Sequence, residues 1–200
     1  MLTRIVLTGG PCAGKSTILK KIAEKYTREG YAVYALPESA TLFSQAGADF
    51  LTPDAELSFV TEKAKLKFQL AMEDCIAEIA KQDGRPALMI CDRGAMDTSA
   101  YMSNEVWQRI LSDLQCAEMD LCERRYEAVL HVCTAAKGAE ASYTLLNNKC
   151  RSESIEQARA VDDNLMNAWK RHPNWRVVQA EVCFEDKIEH VMAHLEQIIP

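Results

Sequence analysis

Basic residues are not in excess in this sequence: 23 Lys and Arg stand against 29 Asp and Glu, a formal net charge of −6. Without a basic footprint, nucleic acid is not an expected partner, because phosphate backbones need clustered cations. A pocket inside an acidic protein can still be locally positive, so phosphate-bearing small molecules stay within reach. No apolar run approaches the roughly 20 residues that span a bilayer, so no transmembrane segment is expected. The sequence starts directly with the strand-like stretch Met1–Leu7, so a signal peptide is not expected. The eight cysteines include no C-x-x-C pair, which leaves out zinc-ribbon and thioredoxin-like spacing. Several lie in apolar stretches and read as small core residues. A reduced, cytoplasmic chain is the expectation. No internal repeat, low-complexity tract or linker interrupts the 200 residues, so one domain over 1–200 is expected.

What is present is an alternation. Apolar runs read as strands at Ile5–Leu7, Tyr31–Leu36, Ala87–Cys91, Ala128–Cys133 and Arg176–Gln179. Helical patterns lie between and after them at Lys15–Glu29, Asp54–Gln82, Ser152–Arg171 and Phe184–Ile199, with short helices within Asp97–Arg124 and a loop at Lys137–Thr144. Strands alternating with helices predict an α/β fold, a parallel five-stranded sheet with helices on both faces. In the longest helix, Leu57, Val60, Ala64, Phe68, Ala71, Cys75 and Ile79 step by three or four and line one face. The oligomeric state is not readable, although exposure of that face would suggest a dimer.

Gly9-Gly10-Pro11-Cys12-Ala13-Gly14-Lys15-Ser16 matches G-x-x-x-x-G-K-[ST] in full. A buried strand precedes it and an amphipathic helix follows it, the context the motif requires. Gly9 and Gly14 permit backbone angles that side chains forbid. The turn then aims successive N–H groups at an anion, and the following helix adds its positive end. Lys15 suits the β- and γ-phosphates, Ser16 suits Mg²⁺, and Thr17 suits the α-phosphate. The nucleotide-binding set is therefore Gly9 through Thr17.

Two acids fall where the carboxyl edge of a parallel sheet gathers ligands. Leu88–Asp92 is an apolar strand ending in Asp92, a Walker-B pattern, which makes Asp92 a candidate metal ligand beside Ser16. Glu38 lies just past the strand that ends at Leu36, placed to handle an acceptor. Arg93 is a candidate contact to phosphate or to Asp92. Lys149 and Arg151, in Asn147–Arg151, are candidate cations over a γ-phosphate, since phosphoryl transfer needs positive charge there. No N-K-x-D guanine motif occurs, so ATP and GTP both stay open. The loop Ala180–Cys183 is the candidate for the base edge.

Several of these stretches together resemble one family. They are G-G-P-C-A-G-K-S-T, P-E-S-A after the second strand, C-D-R-G-A-M-D after the third, R-R-Y-E-A-V-L-H-V at the fourth, and Y-T-L-L-N-N-K-C-R-S-E. The family is the AAA-like P-loop domain related to the ribosylnicotinamide kinase part of the bacterial NAD regulator. Similar domains form the N-terminal half of eukaryotic proteins that end in a triphosphate-tunnel domain; either that domain is absent here or the chain is a fragment of a larger fusion. The resemblance implies a nucleoside-kinase-like fold using ATP or GTP with Mg²⁺. It implies Glu38 as base, Asp92-Arg93 as the acid–Arg pair that handles metal and phosphates, and Asn147–Arg151 as a lid with Arg151 catalytic. Asp92 has no second acid beside it, so motor-type hydrolysis is not expected. Two functions fit. One is a kinase with Lys15, Glu38, Asp92 and Arg151 as its machinery and a small-molecule acceptor. The other is an ATP- or GTP-binding regulatory module acting on a protein or membrane partner.

Overall fold

The structure, a computed structural model, describes residues 1–48, 52–140 and 154–200. Five strands form one sheet: β1 (Leu2–Thr8), β2 (Ala32–Leu36), β3 (Ala87–Asp92), β4 (Ala128–Val132) and β5 (Trp175–Val178). The order is β2-β3-β1-β4-β5. Each described pairing is parallel: Leu7 sits level with Asp92 on one side and with Leu130 on the other. The helices are α1 (Lys15–Arg28), α2 (Ser39–Gln45), α3 (Ala55–Asp83), α4 (Asn104–Leu114), α5 (Ile155–Trp169) and α6 (Phe184–Glu196). Short 3-10 turns at Ala95–Tyr101 and Ala135–Lys137 and a π turn at Asp120–Arg124 fill the connections. Among the described residues, no helix is long and apolar enough to cross a membrane.

The central strands are apolar on both faces because helices cover both. Ile5, Leu7, Leu88, Ile90, Leu130 and Val132 pack on one side, against Ile18 and Ile22 of α1 and Val191 and Leu195 of α6. Val6, Met89, Cys91 and Val129 face the other side, with Leu66 of α3, Trp107 and Ile110 of α4 and Trp169 of α5. The strand-and-helix alternation read from the sequence is thus the observed α/β architecture.

The element ends move by a few residues. β2 starts at Ala32 and β5 at Trp175, α6 stops at Glu196, and Lys137, the first residue of the expected loop, closes a 3-10 turn at Ala135–Lys137; residues 141–144 of that loop lie outside the described residues. Ser154 caps α5: its hydroxyl accepts from Gln157 N, and the Gln157 side chain accepts from Ser154 N. Asp54 caps α3, its carboxylate accepting at 3.0 Å from both Glu56 N and Leu57 N.

The apolar stripe of α3 does not face the core. Leu57, Val60, Phe68 and Ile79 are 50%, 46%, 39% and 54% exposed, while Thr61, Lys65, Gln69 and Glu73 are buried with Phe59 and Leu66. The inward polar groups bond one another and their neighbours, Gln69 Oε1 excepted: Gln69 donates to Glu73 (2.7 Å), and Arg125 and Tyr126 bond the same Glu73 carboxylate. A buried polar network with partners can replace an apolar face.

Candidate nucleotide-binding site

The strand order puts β1 at the centre, and the loop that follows it opens at the carboxyl edge. Gly9 has φ 139°, and a Cβ there would lie 2.0 Å from Val132 O, so the loop can cross β4 only as glycine. Gly14 has φ 86° and starts α1 under the Phe184 ring. The loop's carbonyls are tied off from behind. Thr134 Oγ1 donates to Pro11 O, Ala135 N to Cys12 O (3.4 Å), and the buried Lys187 ammonium to Ala13 O (3.0 Å) and Cys133 O (2.7 Å). With the Pro11, Cys12 and Ala13 carbonyls held from behind, this part of the loop has the form an anion nest requires.

A second buried charge holds the loop from α5. Asp162 Oδ1 accepts from Gly10 N (2.7 Å) and Thr134 N (3.2 Å) and lies 3.2 Å from His131 Nε2. Lys137 Nζ lies 2.8 Å from Oδ2. Burial pushes this carboxyl up, but His131, Lys137 and the Gly10 amide outweigh it and hold it well below the usual range. His131 and Cys133 crowd the same carboxylate within ligand distance of one another. Both of its oxygens already face donors, so the cluster is a hydrogen-bonded hub. Asp162→Ala, which strands the Gly10 and Thr134 amides, should cost roughly 1–3 kcal/mol in urea denaturation. Asp162→Asn, which keeps one acceptor, should lose less; equal stability of Asp162→Ala and the parent would contradict the hub.

Lys15, Glu38, Asp92 and Arg93 line one cavity of about 650 Å³ with the loop. Lys15 Nζ donates to Gly9 O (2.9 Å) and Gly10 O (3.4 Å). Burial, helped by Arg93, lowers its pKa to about 8. Asp92 ends β3, and burial raises its pKa. Its Oδ1 is buried with no hydrogen-bond partner. Ser16 and Thr17 lie exposed on the first turn of α1, lining the same cavity.

Arg93 is the connecting group. Its Nε donates to Glu38 (2.6 Å), its Nη1 reaches Asp97 (3.4 Å), and the guanidinium lies over the Tyr101 ring. Burial opposes its charge, and Tyr101, Glu38, Asp97 and Asp92 outweigh burial and raise its pKa. Its φ of 70° is strained for a side-chain residue. The strain persists because both peptide groups are pinned, Arg93 N to Leu7 O (3.1 Å) and Arg93 O by Gln69 (3.4 Å). Glu38 also accepts from Thr41 Oγ1 (2.8 Å). Burial would raise the Glu38 pKa, but Arg93 and Lys15 prevail and hold it at about 2.

The structure therefore brings Gly9–Thr17, Glu38, Asp92 and Arg93 together. Glu181 and Val182, from the loop read as the base edge, line the same cavity. Lys149 and Arg151 lie outside the described residues. Sequence reading missed Asp97, Asp162 and Lys187. Asp97 is buried, takes bonds from Thr8 Oγ1, Gly94 N (2.8 Å) and Trp169 Nε1 (3.1 Å), and fixes Arg93. Its place four residues after Arg93 was the one available signal. Asp162 and Lys187 sit in helices whose charges look like ordinary solvated ones.

Comparison with known proteins agrees with this geometry at the level of the fold. Deoxyadenosine kinase from M. mycoides with bound dATP superposes with a TM-score of 0.59 at 19% identity, covering 97% of this chain and 99% of that one. The same kinase with dCTP gives 0.54 at 20% identity, covering 98% and 100%. With the products dCMP and dCDP it gives 0.55 at 20% identity, over the same shares. These likenesses show the fold. The model of the AAA domain family AAA_28 matches residues 4–187, and this chain belongs to that P-loop family.

Proposed function

We infer that this chain is a Mg²⁺-dependent small-molecule kinase that transfers the γ-phosphoryl group of ATP or GTP to a nucleoside-like hydroxyl. The observation that carries this reading is Glu38: a second strand-end carboxylate, beyond the one a P-loop needs for metal, held in the P-loop cavity by Arg93. The kinase fold of the superposed structures supports it.

The residues suggest a division of labour. Lys15 and the loop amides would hold the β- and γ-phosphates. Ser16 and Asp92 would hold Mg²⁺, and the unpartnered buried Oδ1 of Asp92 fits that task. Bound there, the ion would neutralise charge on the phosphate oxygens. Glu38, ionised at every working pH, would accept a hydrogen bond from the acceptor hydroxyl and orient it. A carboxylate this acidic is a weak base. A loose transition state asks for positioning before it asks for proton removal.

The test is a transfer screen with Mg²⁺, ATP or GTP, and a panel of nucleosides and related hydroxyl compounds. Acceptor-dependent diphosphate release, absent in Lys15→Ala, is the expected result. Tight nucleotide binding without acceptor-stimulated turnover would favour the regulatory module. Glu38→Ala should lower transfer about 10²-fold while leaving nucleotide affinity nearly unchanged. Undiminished transfer in that variant would remove Glu38 from the mechanism.

A further inference from the structure

The exposed stripe on α3 has a regular layout. Leu57, Phe68 and Ile79 recur every 11 residues, and so do Val60 with Ala71 and Ala64 with Cys75. Every one of these seven positions is exposed. An 11-residue apolar repeat is about 3.67 residues per turn, close to the 3.6 of a straight helix. The stripe therefore runs almost parallel to the helix axis for about 33 Å at 1.5 Å per residue. Phe43 of α2 leans edge-on against Phe68 at its middle. A continuous apolar band of this length, rimmed by charge, is uncommon on a protein that stays alone.

The stripe is also close to its own reverse. Turned end for end about Phe68, it lays Leu57 over Ile79, Val60 over Cys75, Ala64 over Ala71 and Phe68 over itself. Large groups meet at the ends and the centre, and alanines meet between them, where two backbones can approach. A twofold interface requires this self-complementarity.

The rim supports the same arrangement. At about 100° per residue, Glu56, Lys63, Asp74 and Lys81 fall along one edge of the stripe. A twofold axis across antiparallel helices brings that edge against its own copy. Glu56 then faces Lys81, and Lys63 faces Asp74. Parallel pairing, whose axis runs along the helices, would set this edge against the opposite edge of the partner and lose both opposite-charge contacts. Three of the four already have a partner within the chain: Glu56 with Arg109 (3.0 Å), Lys63 with Asp113 (2.7 Å) and Asp74 with Arg125 (2.8 Å). The contacts across the dimer would extend those pairs, and at a wet rim they select register more than affinity. Lys67 falls nearest the axis, and its flexible stem can carry the ammonium out to solvent.

We propose that two copies of this chain pair through α3, antiparallel and twofold about Phe68. The pairing does not rest on the nucleotide chemistry; a chain without kinase activity would still associate.

The test begins with sedimentation equilibrium on the intact protein, which should show a monomer–dimer equilibrium. Phe68→Glu should raise the dimer dissociation constant about 30-fold or more, as loss of a central aromatic anchor does. Its circular dichroism should match the parent, since the side chain is partly exposed. Register is read by mild oxidation and peptide mapping. Val60→Cys should cross-link through Cys75 of the partner subunit, and adding Cys75→Ser should abolish the link. In the parent, the two Cys75 residues stand too far apart to join. A monomer at all concentrations, a dimer indifferent to Phe68→Glu, or a disulfide between two Cys75 residues would each overturn the proposal.

Discussion

Replacing Lys15 by alanine should reduce phosphoryl transfer about 10³-fold or more in kcat/KM, with nucleotide affinity falling alongside. The ammonium is buried at the base of the loop, 2.9 Å from Gly9 O. No other described cation in the cavity is in a position to replace it. Arg93 is committed to Glu38 and Asp97, and Lys187 to Ala13 O and Cys133 O. The same ammonium sets a pH dependence. Burial lowers its pKa to about 8 against 10.5 in the unfolded chain, so the folded protein holds fewer protons between those values. Its contribution to stability therefore rises as pH climbs from about 8 toward 10.5. Nucleotide phosphates favour the charged form, so binding should take up a proton in this range. Affinity should weaken above about pH 8, by up to about tenfold per unit. Calorimetry in buffers of different ionisation enthalpy measures that uptake. Flat affinity from pH 7 to 10 would show that Lys15 does not meet the phosphates.

Arg93→Ala should be the most damaging change to stability, a loss of roughly 3–5 kcal/mol in urea denaturation. The guanidinium is buried among Glu38, Asp97 and Asp92, and its removal leaves three carboxylates facing one another. The positive φ offers no compensation, because alanine keeps a Cβ and the backbone stays pinned. The acid limb of the stability curve should flatten as well. In the parent, the Glu38 pKa of about 2 lies below the ordinary 4.5. Its stabilising contribution is complete above about 4.5 and is lost as pH falls toward 2. Without Arg93, only Lys15 and the Thr41 hydroxyl still oppose burial, so the pKa moves back toward its ordinary value and less stability is lost in acid. A loss under about 1 kcal/mol, or an unchanged acid limb, would mean that the guanidinium does not hold the cluster together.

The parts of the site legible in the sequence are those set by near neighbours. The P-loop is eight consecutive residues, and Glu38 and Asp92 follow directly from where their strands end. The α3 face was legible as a stripe but not as to its side. A period of 3.6 says which residues share a face, and nothing local says that Glu73 will meet Arg125 and Tyr126. Because those partners satisfy a polar inner face, the apolar one is left outside. Asp162 and Lys187 were out of reach for a related reason. Their contacts to Gly10 and Ala13 span 152 and 174 residues. Element ends shifted where a cap or neighbouring strand decided, as at Ser154, which starts α5.

Those long spans have a consequence for a chain made from its N-terminus on a ribosome. The phosphate loop emerges well before Thr134, Asp162 and Lys187, to which its back is tied. Its strand β1 also waits for β3 and β4, the neighbours on either side. A nascent chain stopped short of α6 would carry the whole motif without the shape that grips a nucleotide. Nucleotide affinity thus depends on α6 having emerged and docked, and contacts this distant in sequence place that event among the slow steps of folding.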